Sequence, residues 1–221
     1  MISFIPQVSS AQKLMNKLDQ TVGLEYYKLT GSYNEAKESI RISKTRKSKE
    51  GNKTTADLTS VSDEAKQHVE NVIKGLSLGN GEFLIVVAWV TAEGRLYHQK
   101  FPFLLGGDET FRTNAEKRPL ARLCGKSLDN KVLPFVNAFL PSRQGWVFEL
   151  LWGEVYPMLL CPNALSKTGN VKVDQDERNW NALIANQAPY RDIYGKGKAS
   201  LCYFHKVRLF QCLCAHSHRR T

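Results

Sequence analysis

The sequence predicts an α/β fold: a mixed sheet built in the order β-β-β-α-β-α-β, preceded by a mainly helical accessory region. Three observations carry that expectation. Short apolar runs at 103–108, 118–124 and 131–139 are separated by turn-forming stretches. Gly125-Lys126-Ser127-Leu128-Asp129-Asn130 is so short a connection that the second and third runs must be antiparallel neighbours. Next, Trp146, Val147, Phe148, Leu150, Leu151, Val155 and Tyr156 give a broad apolar face that a helix buries against a sheet. Two further strands, at 171–174 and 201–207, then flank a second helix at about 177–185 with Trp180, Leu183 and Ile184 inward.

Taken in order, residues 1–40 carry weak helical patterning, with Leu14, Leu18 and Val22 on one face and a second helical stretch at 33–42. Residues 41–53 are basic and almost free of apolar side chains, as expected of a solvated linker or arm. Ser62 or Asp63 caps a helix over 63–78, with Val69, Val72, Ile73 and Leu76 on one face, and Gly79-Asn80-Gly81 punctuates it. Residues 83–89, rich in β-branched and aromatic side chains, predict a strand. Thr91-Ala92-Glu93 opens a short helix to about Lys100, and Pro102 starts the next element. Pro141-Ser142 breaks the third strand of the β-β-β run, and Ser142 can cap the helix after it, which Pro157 ends or kinks. Gly169-Asn170 turns into the next strand, and 186–199 reads as a polar loop. The expected domains are an accessory region at 1–82 with a linker near 41–60, a core at 83–207 and a basic Cys/His tail at 208–221.

The 221 residues can bury one sizeable core plus an accessory segment. No apolar run reaches eighteen residues, which argues against a membrane-spanning helix, and the first residues lack the charged-then-apolar order of a secretory signal. The expectation is an intracellular protein, not secreted and not membrane-bound. Five cysteines, an odd number without framework spacing, fit reduced thiols. The formal charge of +10 favours a polyanionic partner, chiefly nucleic acid; the plainer reading is a soluble protein that happens to be basic. Its basic residues concentrate at Arg41, Lys44, Arg46, Lys47 and Lys49, the candidate nucleic-acid contacts, and again after Lys196.

Asp108 ends one apolar strand and Asp174 ends another. Two carboxylates held side by side at strand tips are hard oxygen donors suited to divalent cations, and paired cations serve many enzymes that cut nucleic-acid backbones. In isolation Gly106-Gly107-Asp108 also reads as turn chemistry. Strand alternation points Glu109 to the face opposite Asp108, making it a neighbour rather than a ligand. Asp176 suits the N-cap of the following helix and is the backup ligand to Asp174.

Several motifs in series resemble Mutator-like transposases. They are Asp108-Glu109-Thr110-Phe111, then Thr113-Asn114-Ala115-Glu116-Lys117-Arg118-Pro119-Leu120, Gly125-Lys126, Ala138-Phe139-Leu140-Pro141-Ser142 and Trp146-Val147-Phe148. Val173-Asp174-Gln175-Asp176 and Cys202-Tyr203-Phe204-His205 complete the series, which covers more than half of the chain. The resemblance implies a ribonuclease H-like core of the DDE type, in which the fourth strand lies beside the first and parallel to it. It implies Asp108 and Asp174 as catalytic and metal-binding residues for Mg2+ or Mn2+, two ions together, with DNA as partner and the nucleus as compartment. Cys202 and His205 would be auxiliary. The family's third acidic residue, on a helix downstream, has no counterpart after His205, so a truncated transposase, inactive alone, is expected.

Plainer readings stand beside these. Cys202 and His205 read equally as core residues, since i and i+3 on a strand face opposite ways. Cys212-Leu213-Cys214-Ala215-His216-Ser217-His218 lacks the usual zinc-ligand gaps, so zinc is not expected. A non-catalytic nucleic-acid-binding protein acting through its basic arm and tail is the alternative function. Self-association into a homo-oligomer is left open.

Overall fold

The computed structural model describes residues 9–40, 63–110, 118–173, 176–187 and 198–201. The expectations for the basic arm, Asp174, Cys202, His205 and the tail fall outside these residues. The chain forms two compact units, Met1–Gln20 with Leu29–Ile85, and Thr21–Lys28 with Val86–Thr221.

The first unit holds helices α1 (Ser10–Gln20), α2 (Tyr33–Ile40) and α3 (Asp63–Leu76) and the short strand β2 (Ser77–Gly79). The Ser9 hydroxyl accepts the Gln12 N–H at 3.0 Å and so caps α1. Ser32 and Glu35 form a reciprocal capping box at the start of α2: Glu35 Oε2 accepts the Ser32 N–H at 2.7 Å, and Ser32 Oγ accepts the Glu35 N–H at 3.4 Å. Ile40, Val72, Ile73 and Leu76 form this unit's core, with Val69 and Phe83 against it. Strand β1 (Leu24–Gly31) interrupts the region expected to be helical. Its residues are mostly half-buried rather than alternating, so the period-two pattern that marks a strand is missing.

The second unit contains most of an open mixed sheet. Its strands are β3 (Glu82–Thr91), β4 (Leu104–Thr110), β5 (Leu120–Lys126), β6 (Val132–Phe139), β7 (Asn170–Val173) and β8 (Lys198–Leu201). Hydrogen bonding runs in the order β1-β3-β6-β5-β4-β7-β8, with β2 also on β3. Pairs β3–β6, β6–β5 and β5–β4 are antiparallel, whereas β4–β7 and β7–β8 are parallel. Residues 84–88 are all buried, as a strand covered on both faces requires. Asn130, at φ 62, supplies the left-handed residue of the β5–β6 turn, which Ser127 N–H to Lys131 O and Asn130 N–H to Ser127 O hold closed.

Helix α4 (Ala92–Lys100) begins as the sequence predicts: Thr91 accepts the Gly94 N–H at 3.0 Å. Gly94 lets it approach β6. An added Cβ would lie 2.9 Å from the Phe135 carbonyl oxygen and 3.1 Å from that of Pro134.

The crossover from β6 to β7 is helical, through α5 (Gly145–Leu150), a π-helical turn (Leu151–Val155), α6 (Tyr156–Leu159) and α7 (Pro162–Leu165). Its N-cap is Gln144, not Ser142, and Gln144 makes no side-chain cap bond. Ser142 Oγ is buried without a partner among the described residues. Pro157 neither ends nor sharply breaks this path. A proline ring clashes with the carbonyl four residues back, here that of Gly153, and the widened π turn makes room ahead of it. Val147, Phe148, Leu151, Val155 and Tyr156 are buried, as their spacing predicts, whereas Trp146 of the same expected face is exposed; Trp152, which that face did not include, is also buried. Helix α8 (Glu177–Gln187) joins β7 to β8.

Candidate carboxylate site at the ends of the parallel strands

The parallel pair β4–β7 sets the site. Its register runs from Leu104↔Asn170 to Gly107↔Val173, so Asp108 immediately follows the last paired residue of β4. Asp174 is the next residue after Val173 in sequence but lies outside the described residues. Asp108 is exposed, faces Arg122 across the antiparallel β5 register, and accepts the Glu109 N–H on Oδ1 at 2.9 Å.

Alternation sends the next residue the other way. A Cβ on Gly107 would meet the Trp152 ring at 3.5 Å, and Glu109, two residues on, shares that helix-covered face. The Glu109 side chain is only 2% exposed. Arg143, in the loop before α5, donates from Nε to Glu109 Oε2 at 2.8 Å. Its terminal nitrogen lies 2.9 Å from Asp176 Oδ2. One guanidinium thus bridges carboxylates from β4 and from the residue before α8.

Asp176, at 7% side-chain exposure, is the N-cap of α8, as its sequence position predicts. Its Oδ1 accepts the Arg178 N–H at 2.9 Å, and the Arg178 side chain donates to both oxygens at 2.9–3.0 Å. Burial alone would raise the Asp176 carboxyl, but the hydrogen bonds from Arg178 and the charges of Arg143 and Arg178 outweigh it and hold it below the usual carboxylate range. Behind the ion pairs, Asn179 Nδ2 reaches Glu109 Oε1 at 3.4 Å, and the buried Trp152 indole N–H donates to Asn179 Oδ1 at 2.8 Å. Tyr156, fully buried on the same helical crossover, has its phenol raised by burial first and then by the Glu109 charge.

Of the residues the sequence proposed for chemistry, Asp108 and Asp176 are described. Asp108 faces solvent, whereas Asp176 is joined to Glu109 through Arg143. Asp174, Cys202, His205, Arg41, Lys44, Arg46, Lys47 and Lys49 lie outside the described residues. Sequence reasoning placed Glu109 opposite Asp108, as observed, but did not foresee that its face carries the buried network. Arg143, Arg178 and Asn179 were missed. Only the i, i+3 spacing of Asp176 and Asn179 hinted that they share one end of a helix.

Asp108 has the chemistry of a cation ligand: exposed hard oxygens and no ion pair among the described residues. Glu109 and Asp176 do not, because arginines already neutralise them. No group of three or more Asp, Glu, His or Cys residues able to hold a metal occurs among the described residues. Arg118 has a structural task. It is buried and donates to the Leu140 carbonyl at 3.0 Å and the Phe139 carbonyl at 3.3 Å, satisfying the end of β6. No described helix is long and apolar enough to cross a membrane. Comparison with protein-family models, curated proteins and solved structures finds no match.

Proposed function

We propose that the second unit is a ribonuclease H-like core of the kind found in Mutator-like transposases, built to present Asp108 and Asp174 to a nucleic-acid backbone. The observation that carries this reading is the strand arrangement. Counted from β4, three antiparallel strands are followed by a helical crossover that returns the fourth, β7, to the side of the first and parallel to it. Ligands of such open sheets bind at the carboxyl ends of the parallel strands; Asp108 lies within β4, just after the last residue paired with β7, and the sequence continues from Val173 to Asp174.

Asp108 and Asp174 would hold the cation, Mg2+ or Mn2+, through hard carboxylate oxygens. Bound there, a divalent cation makes water or a hydroxyl a better nucleophile and offsets charge on the leaving oxygen. The chain's own contribution is positional. β4 and β7 fix the spacing of the two tips, and the Arg143 ion pairs hold the start of α8 against β4. The strongly basic composition supports a polyanionic partner, and the nucleus is the compartment this reading assigns.

The test is titration of the purified chain with Mg2+ and Mn2+, alongside Asp108→Asn and Asp174→Asn. Either substitution should weaken binding roughly tenfold or more, on the scale of losing one charged ligand. Absent binding, or binding that neither substitution changes, overturns the reading. Salt-sensitive DNA binding that survives both substitutions would then favour a non-catalytic nucleic-acid-binding protein.

A further inference from the structure

The buried face of the strand ends raises a question that Asp108 does not answer: what neutralises Glu109 and Asp176. Two carboxylates, 2% and 7% exposed, come from different elements and face one another across a single guanidinium. Carboxylates buried together repel and lose hydration, and proteins resolve this with a metal ion, a shared proton or a basic side chain. Here Arg143 contacts one at 2.8 Å and the other at 2.9 Å, and Arg178 adds the second positive charge. Among the described residues, two negative and two positive groups meet here. The Asn179 amide and the Trp152 indole extend the hydrogen bonding inward from Glu109.

We propose that Arg143 is a built-in cation, occupying the bridging position that a divalent ion would take between Glu109 and Asp176, so that this side of the strand ends folds without metal. A bridging guanidinium supplies what an ion would supply there, a positive centre within hydrogen-bonding distance of both carboxylates, but it cannot leave and has no open coordination position. Cation binding on this edge is thereby confined to the Asp108 side. Removal of Arg143 leaves two buried carboxylates with hard oxygens directed at a common gap, which is a latent site for Mg2+, Ca2+ or Mn2+. This inference concerns different carboxylates from the proposed Asp108–Asp174 pair and stands whether or not that pair binds metal.

The experiment uses the full chain carrying Asp108→Asn, which removes the other proposed ligand. Thermal unfolding is followed by circular dichroism in chelator and in excess Mg2+, Ca2+ or Mn2+. With Arg143 present, the midpoint should not move with cation. Arg143→Gln should lower the midpoint in chelator by roughly 10 °C, the scale for one uncompensated buried charge in a domain of this size. Divalent cation should recover at least half of that loss, and adding Glu109→Gln should abolish the recovery. If Arg143→Gln does not fold in chelator, refolding in divalent cation must restore its helical signal. A loss that no cation recovers, a variant that stays unfolded with cation present, or recovery that persists after Glu109→Gln overturns the proposal. The Asp108–Asp174 reading is judged separately, by comparing cation titrations of the unmodified chain and of Asp108→Asn.

Discussion

The second unit buries ionisable groups in two contrasting ways. At the ends of β4 and β7, Glu109 and Asp176 stay charged because Arg143 and Arg178 surround them with matched donors. On α4, His98 is fully buried, and neither ring nitrogen has a partner among the described residues. It packs edge-on against Phe135, with ring centroids 5.1 Å apart, and burial lowers its pKa to about 4. The strands and helices packed most closely on α4, β6 and α7, carry no titratable side chain that could stabilise a charge there. One region keeps charge by pairing it, and the other is stable only while uncharged. The paired region therefore breaks when a partner is removed, and the unpaired one when a proton is added.

The largest effect should come from unpairing the first region. Arg143→Gln removes the guanidinium between the buried Glu109 and Asp176, leaves Asp176 to Arg178, and should cost about 3–5 kcal/mol in urea unfolding. Arg143→Gln combined with Glu109→Gln should cost clearly less than the sum of the single changes, with a coupling of about 1–3 kcal/mol. Additive losses would mean the ion pair is incidental.

The second region should respond to pH. The folded pKa of His98 lies below its ordinary value of 6.5, so the unfolded chain takes up the proton first. The stability tied to neutral His98 is complete above about pH 6.5 and is lost as pH falls through about 4, on the order of 3 kcal/mol across that window. His98→Phe should flatten the stability profile between those values. An unchanged profile would mean that other groups set the acid limit.

Gly125 sharpens the packing beside this region. A Cβ there would lie 2.2 Å from the buried Phe135 ring, which must move, so Gly125→Ala should destabilise by about 1–3 kcal/mol. Trp152→Phe removes the indole donor and leaves Asn179 Oδ1 short of a partner, for about 1–2 kcal/mol. Asp108→Asn should be nearly silent, within about 0.5 kcal/mol, because its carboxylate is exposed and, among the described residues, tied only to the adjacent N–H. Stability thus separates the two adjacent acids of β4, even though both sit at the same strand end.

Much of the second unit was legible because its elements carry strong local signals. The apolar run of β3, the Thr91 cap of α4, the short β5–β6 turn and the apolar face from Val147 to Val155 are each settled by neighbouring residues. Strand β1 was not legible, since its half-buried residues alternate on neither face. The cap at Gln144 escaped because Ser142, the better capping residue, sits two positions too early to use its hydroxyl. Of the site, the opposition of Asp108 and Glu109 follows from strand alternation alone. Arg143 could not be found the same way: it lies 34 residues from Glu109, and only the fold brings them together.

The most direct measurement is anomalous scattering from a crystal of the full chain soaked in Mn2+. The account predicts a peak within coordination distance of the Asp108 carboxylate and none between Glu109 and Asp176, where Arg143 stands. A peak between Glu109 and Asp176, or no ordered Mn2+ at the Asp108 carboxylate, would contradict it.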